Sequence, residues 1–295
     1  MHEPVLVDEV VAVLAPRPGA TFLDATVGTG GHSEALLSRG GRVVGVDQDP
    51  HALVVARDRL APWGDRVTLV HGNFRDLRTL VASLALPPLD GILFDLGVSS
   101  LQLAVPERGF SFSADGPLDM RMNPEGITTA ADLVNHAVEQ ELVWVLREYG
   151  EEWYARRIAR AIVRSRPLRT TGDLASLVSR IYPPGRHRVH PATRTFQALR
   201  IAVNDELGAL REALPDAASL LAPGGVLCVI AFHSLEDRIV KRFMREEGLA
   251  GRLEILTKKP VTPGKEERAR NPRARSAKLR AGRVPKVVLS PANCP

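Results

Sequence analysis

Cysteine and long apolar runs are scarce in this 295-residue sequence. The two cysteines, Cys228 and Cys294, are too few for a disulfide framework or a cysteine-rich metal site, so we expect a protein of the reducing cytoplasm. No apolar run approaches the roughly 18 residues of a membrane span, and the acidic start MHEPVLVDEV lacks the order of a signal peptide. No spacing typical of metal ligands and no strong nucleophile arrangement is found. We therefore expect a globular protein with no membrane segment and no metal.

Lysine is also scarce, and positive charge is concentrated in two segments. Residues 156–200 hold eleven arginines, no lysine and one acid, and residues 258–286 hold eleven lysines or arginines and two acids. Their balances are +10 and +9, so the remainder carries −14, the difference between the net charge of +5 and +19. This asymmetry predicts a polyanionic partner such as a nucleic acid, because the arginine guanidinium binds phosphate well. Solvated arginine faces and a GC-rich genome are the alternative explanation.

The segment FLDATVGTGGHSEALL, residues 22–37, is typical of a nucleotide-binding strand, turn and helix. Glycines let the backbone turn sharply and let a ligand approach it closely. Ser33 stands where the dinucleotide fingerprint G-x-G-x-x-G requires its third glycine, which disfavours NAD. The remaining pattern, Asp24 followed by Gly28 and Gly30, is the form used by proteins that bind S-adenosylmethionine. An ordinary strand-to-helix turn is the alternative.

Later segments repeat the pattern of a buried strand that ends in a polar residue, namely RVVGVDQDP (42–50), RVTLVHGNF (66–74) and LDGILFDLG (89–97). Asp47 lies 17 residues after Gly30, where a carboxylate accepts hydrogen bonds from both hydroxyls of a ribose. Strands that alternate with helical patterns predict a parallel sheet, and ligands bind beyond the carboxyl ends of such strands. We therefore expect Asp24, Asp47, Phe74 and Asp95 at that edge.

The alternation of strands and helices is interrupted once. Residues 105–199 contain helical patterns and no convincing strand, and alternation resumes with a helix near 203–221. We therefore predict a helical insertion at 105–199, which would hold the substrate. It divides a discontinuous ligand-binding domain into residues 1–104 and 200–295.

The C-terminal part has three further strand patterns. VLCVIAF (226–232) predicts the fifth strand, and two last strands are predicted at 252–258 and 285–290. The basic connection between the last two, about 26 residues, is far longer than a hairpin requires. We interpret it as either a functional loop or a segment that becomes ordered on RNA.

Several long segments with distinctive sequences run from end to end of the chain: HEPVLVDEV (2–10), DATVGTGGHS (24–33), VDQDP (46–50), DLGVSSLQL (95–103), RGFSF (108–112), GPLDMRM (116–122), TRTFQALRIAVNDEL (193–207), FHSLEDRIVK (232–241) and NPRARSAKLR (271–280). Together they resemble one family, the RsmH (MraW) methyltransferases. The resemblance implies an α/β fold, a Rossmann-like class I methyltransferase domain with a parallel-majority sheet and an inserted all-α domain. It also implies methyl transfer from S-adenosylmethionine to the exocyclic 4-amino group of a cytidine in the decoding region of 16S ribosomal RNA. The partner would be that RNA or the small ribosomal subunit.

The same resemblance assigns candidate site residues. Cofactor contacts are expected at Gly30, Gly31, His32, Asp47, Phe74, Asp95 and Gln102. RNA contacts are expected at Arg194, His233, Asn271, Arg273 and Arg275. Taken alone, His32 would be interpreted as a helix-start residue and Phe74 as a core aromatic.

The chemistry of an exocyclic cytosine amine requires a proton acceptor, because the nitrogen lone pair is delocalised into the ring. Many amino-methyltransferases use an Asn/Asp/Ser-Pro-Pro-aromatic motif after the fourth strand, whereas this sequence has DLGVSS. Asp95 is therefore the catalytic candidate, with service to the cofactor as its alternative role.

A second cluster, FHSLED (232–237), follows the predicted fifth strand. His233, Glu236 or Asp237 would face the pocket, and Ser234 would cap the next helix. An ordinary helix N-terminus explains the same residues.

Two other functions stay open. A non-catalytic ribosome-assembly factor would keep the fold and bind RNA without methylating it, which the glycine turn and Asp47 disfavour. An NAD-dependent oxidoreductase is disfavoured by Ser33 and by the arginine-rich insertion. The sequence leaves open which nucleotide is modified, whether free or assembled RNA is the substrate, and whether the protein works as a homodimer.

Overall fold

The computed structural model describes residues 4–185, 187 and 189–286. The strands are β1 (Thr21–Asp24), β2 (Arg42–Asp47), β3 (Val67–His71), β4 (Leu89–Asp95), β5 (Leu221–Ala231), β6 (Glu254–Ile255) and β7 (Lys278–Arg283). The α-helices are α1 (Val7–Leu14), α2 (Gly31–Leu37), α3 (Pro50–Leu60), α4 (Leu77–Ser83), α5 (Ser100–Ala104), α6 (Ala130–His136), α7 (Glu139–Glu148), α8 (Ala155–Arg164), α9 (Thr171–Ser179), α10 (Thr193–Asn204), α11 (Glu206–Leu220), α12 (Ser234–Leu249) and α13 (Lys265–Arg270). Short 3-10 turns lie at Ala61–Arg66, Phe74–Asp76, Pro106–Arg108 and Pro272–Ser276.

The strands form one sheet in the order β3-β2-β1-β4-β5-β7-β6. The first five strands pair in parallel, and β7 is antiparallel to both β5 and β6. Central strands such as β1 and β4 are buried along almost their whole length because helices cover both faces of a parallel sheet. The predicted Rossmann-like α/β fold with a parallel-majority sheet is confirmed.

The chain separates into two compact units, Met1–Gly97 with Gly208–Pro295, and Val98–Leu207. We call them the sheet unit and the helical unit. The sheet unit has a hydrophobic cluster on each face of its sheet, because neighbouring residues of one strand, such as Phe22 and Leu23, point to opposite faces. The observed boundaries differ by up to eight residues from the predicted boundaries after residues 104 and 199.

The helical unit has a core of its own, to which α8 contributes a clear apolar stripe. Its buried residues follow the spacing of one helix face, namely Ala155, Ile158, Ala159 and Ile162. Its arginines lie on the exposed face, namely Arg156, Arg157, Arg160 and Arg164. Thr170 caps α9 through a reciprocal pair of hydrogen bonds with Asp173.

The strand predicted at 252–258 was wrong in extent, because that pattern yields only the two-residue β6. Residues 285 and 286 of the strand predicted at 285–290 are not in a strand, and the last strand of the described chain is β7. Residues 287–290 lie outside the described residues. The basic connection is therefore no simple loop, because it contains α13 and β7. The charged residues of β7 obscured its strand pattern in the sequence. Arg280 is nevertheless buried, because it pairs with Asp237.

Candidate functional site

The glycine turn after β1 has the tight geometry that its sequence indicates. Gly28 and Gly30 have φ angles of 51° and 83°, in the left-handed region that favours glycine. A Cβ on Gly30 would lie 3.1 Å from Leu60, and one on Gly31 would lie 2.8 Å from Pro4. Side chains at these two positions would therefore clash or strain the turn.

Asp47 joins this turn to the end of β2. Its Oδ2 accepts a hydrogen bond from the Gly28 N–H at 2.8 Å, and its Oδ1 accepts one from the Asp49 N–H at 2.9 Å. Burial raises the pKa of Asp47 to about 6, against the opposing effect of these backbone donors. The Gln48 backbone is a third donor to this carboxylate, which leaves acceptor capacity for a ligand hydroxyl group.

A buried polar group links the glycine turn to the start of α2. The Ser33 Oγ donates to Asp24 Oδ2 at 2.7 Å, so the residue that replaces the third glycine holds the end of β1. His32 Nε2 lies 2.8 Å from the Val5 carbonyl oxygen, which requires the proton to be on Nε2. Burial lowers the pKa of His32, so the ring is neutral and its Nδ1 is an acceptor.

Asp95 ends β4, and its backbone N–H donates to Thr26 Oγ1 at 2.6 Å. His32 Nδ1 lies 3.5 Å from Asp95 Oδ2. Asp95 Oδ1 is buried and has no hydrogen-bond partner among the residues that the structure describes. Burial, followed by the charge of Glu236, raises the pKa of Asp95 to about 7. A carboxyl group with such a pKa is suited to accept a proton near neutral pH.

The FHSLED segment follows β5, next to β4 in the sheet. His233, not Ser234, is the N-cap of α12, because His233 Nδ1 accepts the Glu236 N–H at 3.4 Å. The prediction of Ser234 as the cap was therefore wrong, since a ring nitrogen replaces the expected hydroxyl. Asp237 is engaged elsewhere, in ion pairs with Lys278 and Arg280 of β7.

The other predicted cofactor residues lie in different settings. Phe74 is partly buried after β3 and packs edge-on against Phe94, with ring centroids 5.6 Å apart. Its role as a core aromatic is thus compatible with the structure. Gln102 belongs to the helical unit, where its side chain accepts the Ser99 N–H at 3.0 Å in a capping box of α5. A cofactor contact at Phe74 or Gln102 stays a prediction.

The predicted RNA residues divide between the two units. In the helical unit, the exposed Arg194 donates to the Glu151 carbonyl oxygen at 2.9 Å. In the sheet unit, Asn271 Oδ1 accepts the Arg273 N–H at 3.2 Å and so begins a 3-10 turn. Arg273 and Arg275 are exposed on that turn, which leaves their guanidinium groups accessible to phosphate.

Two residues of this site were missed from the sequence. Thr26 and Val5 orient Asp95 and His32 through one hydroxyl and one backbone carbonyl. Thr26 had a detectable signal, because it lies inside the glycine-rich turn. Val5 had none, since its contribution is a main-chain oxygen brought close only by the fold.

Residues 4–185, 187 and 189–286 contain no group of three His, Cys, Asp or Glu side chains that would hold a metal ion. Within the same described ranges, no helix combines the length and the apolar character needed to cross a membrane.

A glycine turn after β1 and carboxylates at the ends of β1, β2 and β4 define the ligand-binding edge of a Rossmann-like sheet. With seven strands, β7 antiparallel and an interrupted dinucleotide fingerprint, the fold and the site are those of a class I S-adenosylmethionine-dependent methyltransferase. Residues 1–284 match the model of the MraW methylase family, and the chain belongs to that family.

Relatives of high identity agree with this assignment. The ribosomal RNA small subunit methyltransferase H of Heliobacterium modesticaldum is 53% identical over 304 residues, which cover 95% of this chain and 97% of that protein. The protein of the same name from Deinococcus radiodurans is 52% identical over 284 residues, which cover 95% and 89%. The crystal structure of an rRNA methylase from Streptococcus thermophilus matches 97% of this chain and 99% of its own, at 13% identity and a TM-score of 0.46.

Proposed function

We propose that this protein transfers a methyl group from S-adenosylmethionine to the exocyclic 4-amino group of a cytidine in the decoding region of 16S ribosomal RNA. The names of its relatives support ribosomal RNA as the substrate. The observation that carries the assignment to an amine is Asp95. It is a carboxyl group at the end of β4 with one oxygen that has no hydrogen-bond partner among the described residues.

The residues of the glycine turn fit the proposed cofactor. Gly30 and Gly31 keep side chains away from the turn, and the Asp47 carboxylate at the end of β2 retains acceptor capacity for a ribose hydroxyl. S-Adenosylmethionine, when bound, supplies an electrophilic methyl group. We expect Asp47→Ala to abolish cofactor binding in calorimetry, and binding equal to that of the wild type would contradict this assignment.

Asp95 supplies what the amine lacks. As a carboxylate it accepts a hydrogen bond from an N–H of the 4-amino group, and this bond localises the nitrogen lone pair. The same carboxylate later takes up the proton that the methylated nitrogen releases. The Thr26 hydroxyl fixes the backbone at Asp95, and His32 packs beside its Oδ2. We therefore expect activity to rise with pH as Asp95 ionises. Positioning of the base contributes the remaining acceleration, and the cytidine must be unstacked to react.

The proposed RNA contacts use the exposed arginines. Arg273 and Arg275 in the sheet unit and Arg194 in the helical unit would bind phosphates, and His233 and Asn271 stay predicted contacts. The helical unit is proposed to take part in RNA recognition. We expect Arg273→Gln and Arg275→Gln each to weaken subunit binding and to reduce its salt dependence by about one released counterion.

The decisive experiment is methylation of small ribosomal subunits that lack base methylation. The purified protein is incubated with these subunits and S-adenosylmethionine, the RNA is digested to nucleosides, and 4-amino-methylated cytidine is measured by mass spectrometry. We expect the product with the wild type and its loss with Asp95→Ala. The exposed Asp58→Ala is the control and should retain activity.

Tight binding of the subunits without product would refute the proposal and favour an assembly factor. If Asp95→Ala is as active as the control, Asp95 does not take part in the methyl transfer. A cytoplasmic location belongs to the same proposal and is checked by fractionation of cells. The homodimer stays a prediction, which light scattering of the purified protein tests.

A further inference from the structure

Glu236, in the first turn of α12, is only 2% exposed although it is an acidic residue. Its Oε2 accepts hydrogen bonds from the backbone N–H groups of Phe232 at 2.8 Å and His233 at 3.2 Å. Charge-assisted bonds of this kind stabilise a carboxylate. Glu236 thus holds a negative charge in a fixed position just beyond the end of β5.

The sheet brings this charge close to Asp95. Asp95 is paired with Ile230 in the register of β4 and β5, and the Leu96 N–H donates to the Ile230 carbonyl oxygen at 3.0 Å. A Cβ built on Gly97 would lie 3.7 Å from the ring of Phe232. The chain segments that carry the two acidic side chains therefore leave the sheet side by side.

The groups around Asp95 come from four elements. They are Asp24 of β1, His32 of α2, Cys228 of β5 and Glu236 of α12. Among the described residues, His32 is the one basic side chain in ion-pair range of Asp95. It is neutral, because burial lowers its pKa. The His233 ring faces Glu236, since its Nδ1 accepts the Glu236 N–H at 3.4 Å and its Nε2 lies 3.1 Å from Glu236 Oε1.

Asp95 therefore faces a fixed negative charge and lacks a permanent positive partner within the described residues. Burial and the charge of Glu236 act in the same direction on Asp95, and both raise its pKa. Asp24 adds a third acidic group to the same buried environment. A carboxylate in these surroundings binds a proton more tightly than an isolated one.

We propose that Glu236 is a positioning residue for methyl transfer, whose fixed charge keeps the Asp95 carboxylate basic enough to accept the proton of the 4-amino group. This inference rests on the proposed function. In the step, the amine nitrogen forms its bond to the methyl carbon while the methyl–sulfur bond breaks with its electron pair on sulfur. One N–H proton then passes to Asp95, and the products are S-adenosylhomocysteine and methylated cytidine.

The substitution Glu236→Gln removes the negative charge and keeps a side-chain oxygen that accepts hydrogen bonds. The amide oxygen of Gln still accepts the backbone N–H groups of Phe232 and His233, because Gln replaces Glu in a capping box. In the wild type the single-turnover rate should rise with pH as Asp95 ionises. We expect the midpoint of this rise to lie about one pH unit lower in Glu236→Gln. We expect the rate at pH 8 to fall about threefold, because a weaker base accepts the proton less readily.

The shift of the midpoint raises the rate of the variant at low pH, whereas the weaker base lowers its rate at high pH. Glu236→Gln is expected to be slower than the wild type at pH 8 and faster at a pH about one unit below the wild-type midpoint, while KM stays unchanged. Glu246→Gln is the matched control, since Glu246 lies on the same helix but is exposed and paired with Arg242. Its rate profile should coincide with that of the wild type. A purely structural role of Glu236 predicts no shift, and an unshifted profile overturns the proposal.

A second measurement separates this inference from the proposed function. The 13C resonance of the Asp95 carboxyl, assigned with Asp95→Asn, is titrated in the protein without RNA. The midpoint should be lower by about one unit in Glu236→Gln. If the wild type methylates cytidine but Glu236→Gln has the same titration midpoint as the wild type, the role of Glu236 is overturned and the proposed function stands. A wild type that forms no methylated cytidine overturns the proposed function and this role with it.

Discussion

Replacing Asp95 by Asn should stabilise the protein while abolishing its activity. In the folded protein, burial and the charge of Glu236 raise the pKa of Asp95 to about 7, whereas the ordinary value of 3.8 applies to the unfolded chain. The folded state therefore binds the proton more tightly than the unfolded state does. As pH rises from about 4 to about 7, the wild type loses stability, and an amide at this position avoids that loss.

The size of the effect follows from this difference in pKa. Each pKa unit corresponds to about 1.4 kcal/mol, so the rise from 3.8 to about 7 corresponds to about 4 kcal/mol above pH 7. A quarter of the Asp95 side chain is exposed, and water reduces the penalty. We therefore expect Asp95→Asn to increase the free energy of unfolding by about 2–4 kcal/mol at pH 8 and by less than half of that at pH 5.

The assay is urea unfolding of both proteins at pH 5 and pH 8, followed by far-ultraviolet circular dichroism. Asp58→Asn, a substitution at an exposed position of α3, is the control and should give the same small difference at both pH values. A stability gain of Asp95→Asn that is equal at pH 5 and pH 8 would refute the electrostatic reasoning. A loss of stability at pH 8 would refute it as well.

Three other substitutions test the fold. Gly30→Ala should lower the free energy of unfolding by about 1–3 kcal/mol because of its positive φ, whereas Gly282→Ala, in an extended strand, should change it far less; thermal unfolding compares the two. Phe22→Ala should cost about 3–5 kcal/mol in urea unfolding, because the ring is fully buried, and a cost below about 1 kcal/mol would contradict its place in the core. Asp237→Ala should cost about 3–5 kcal/mol at pH 7, because it leaves the buried Arg280 without its partner. Burial tends to raise the pKa of Asp237, but the bonds from the basic side chains lower it overall. The cost should therefore persist down to about pH 4 and shrink as pH falls further, and a cost independent of pH would contradict this account.

The sheet and its ligand edge could be predicted from the sequence because their signals are local. Asp24, Asp47 and Asp95 each end an apolar run, and the structure places each at the end of a parallel strand. In such a sheet the carboxyl ends meet at one edge, so these three positions follow from the strand pattern alone.

Features that depend on distant partners could not be predicted. Strand β7 was missed because Lys278 and Arg280 break its apolar pattern. Both pair with Asp237, about 40 residues earlier, and this pairing makes the burial of Arg280 tolerable. The break between α6 and α7 also depends on a distant partner. The chain is extended at Ala137, and Arg166 donates hydrogen bonds to the carbonyl groups of Val134 and Ala137 that the end of α6 leaves free.

The division of the sheet unit between residues 1–97 and 208–295 determines the order in which the protein can fold during its own synthesis. Strands β1 to β4 leave the ribosome early. One edge of β4 can pair with β1 at once, but its other edge has no neighbour until β5 has been made, more than 120 residues later. The helical unit is continuous and is complete before β5 appears. The negative charge of Glu236 reaches Asp95 only after that, so the acid-base site is assembled among the last parts of the nascent chain.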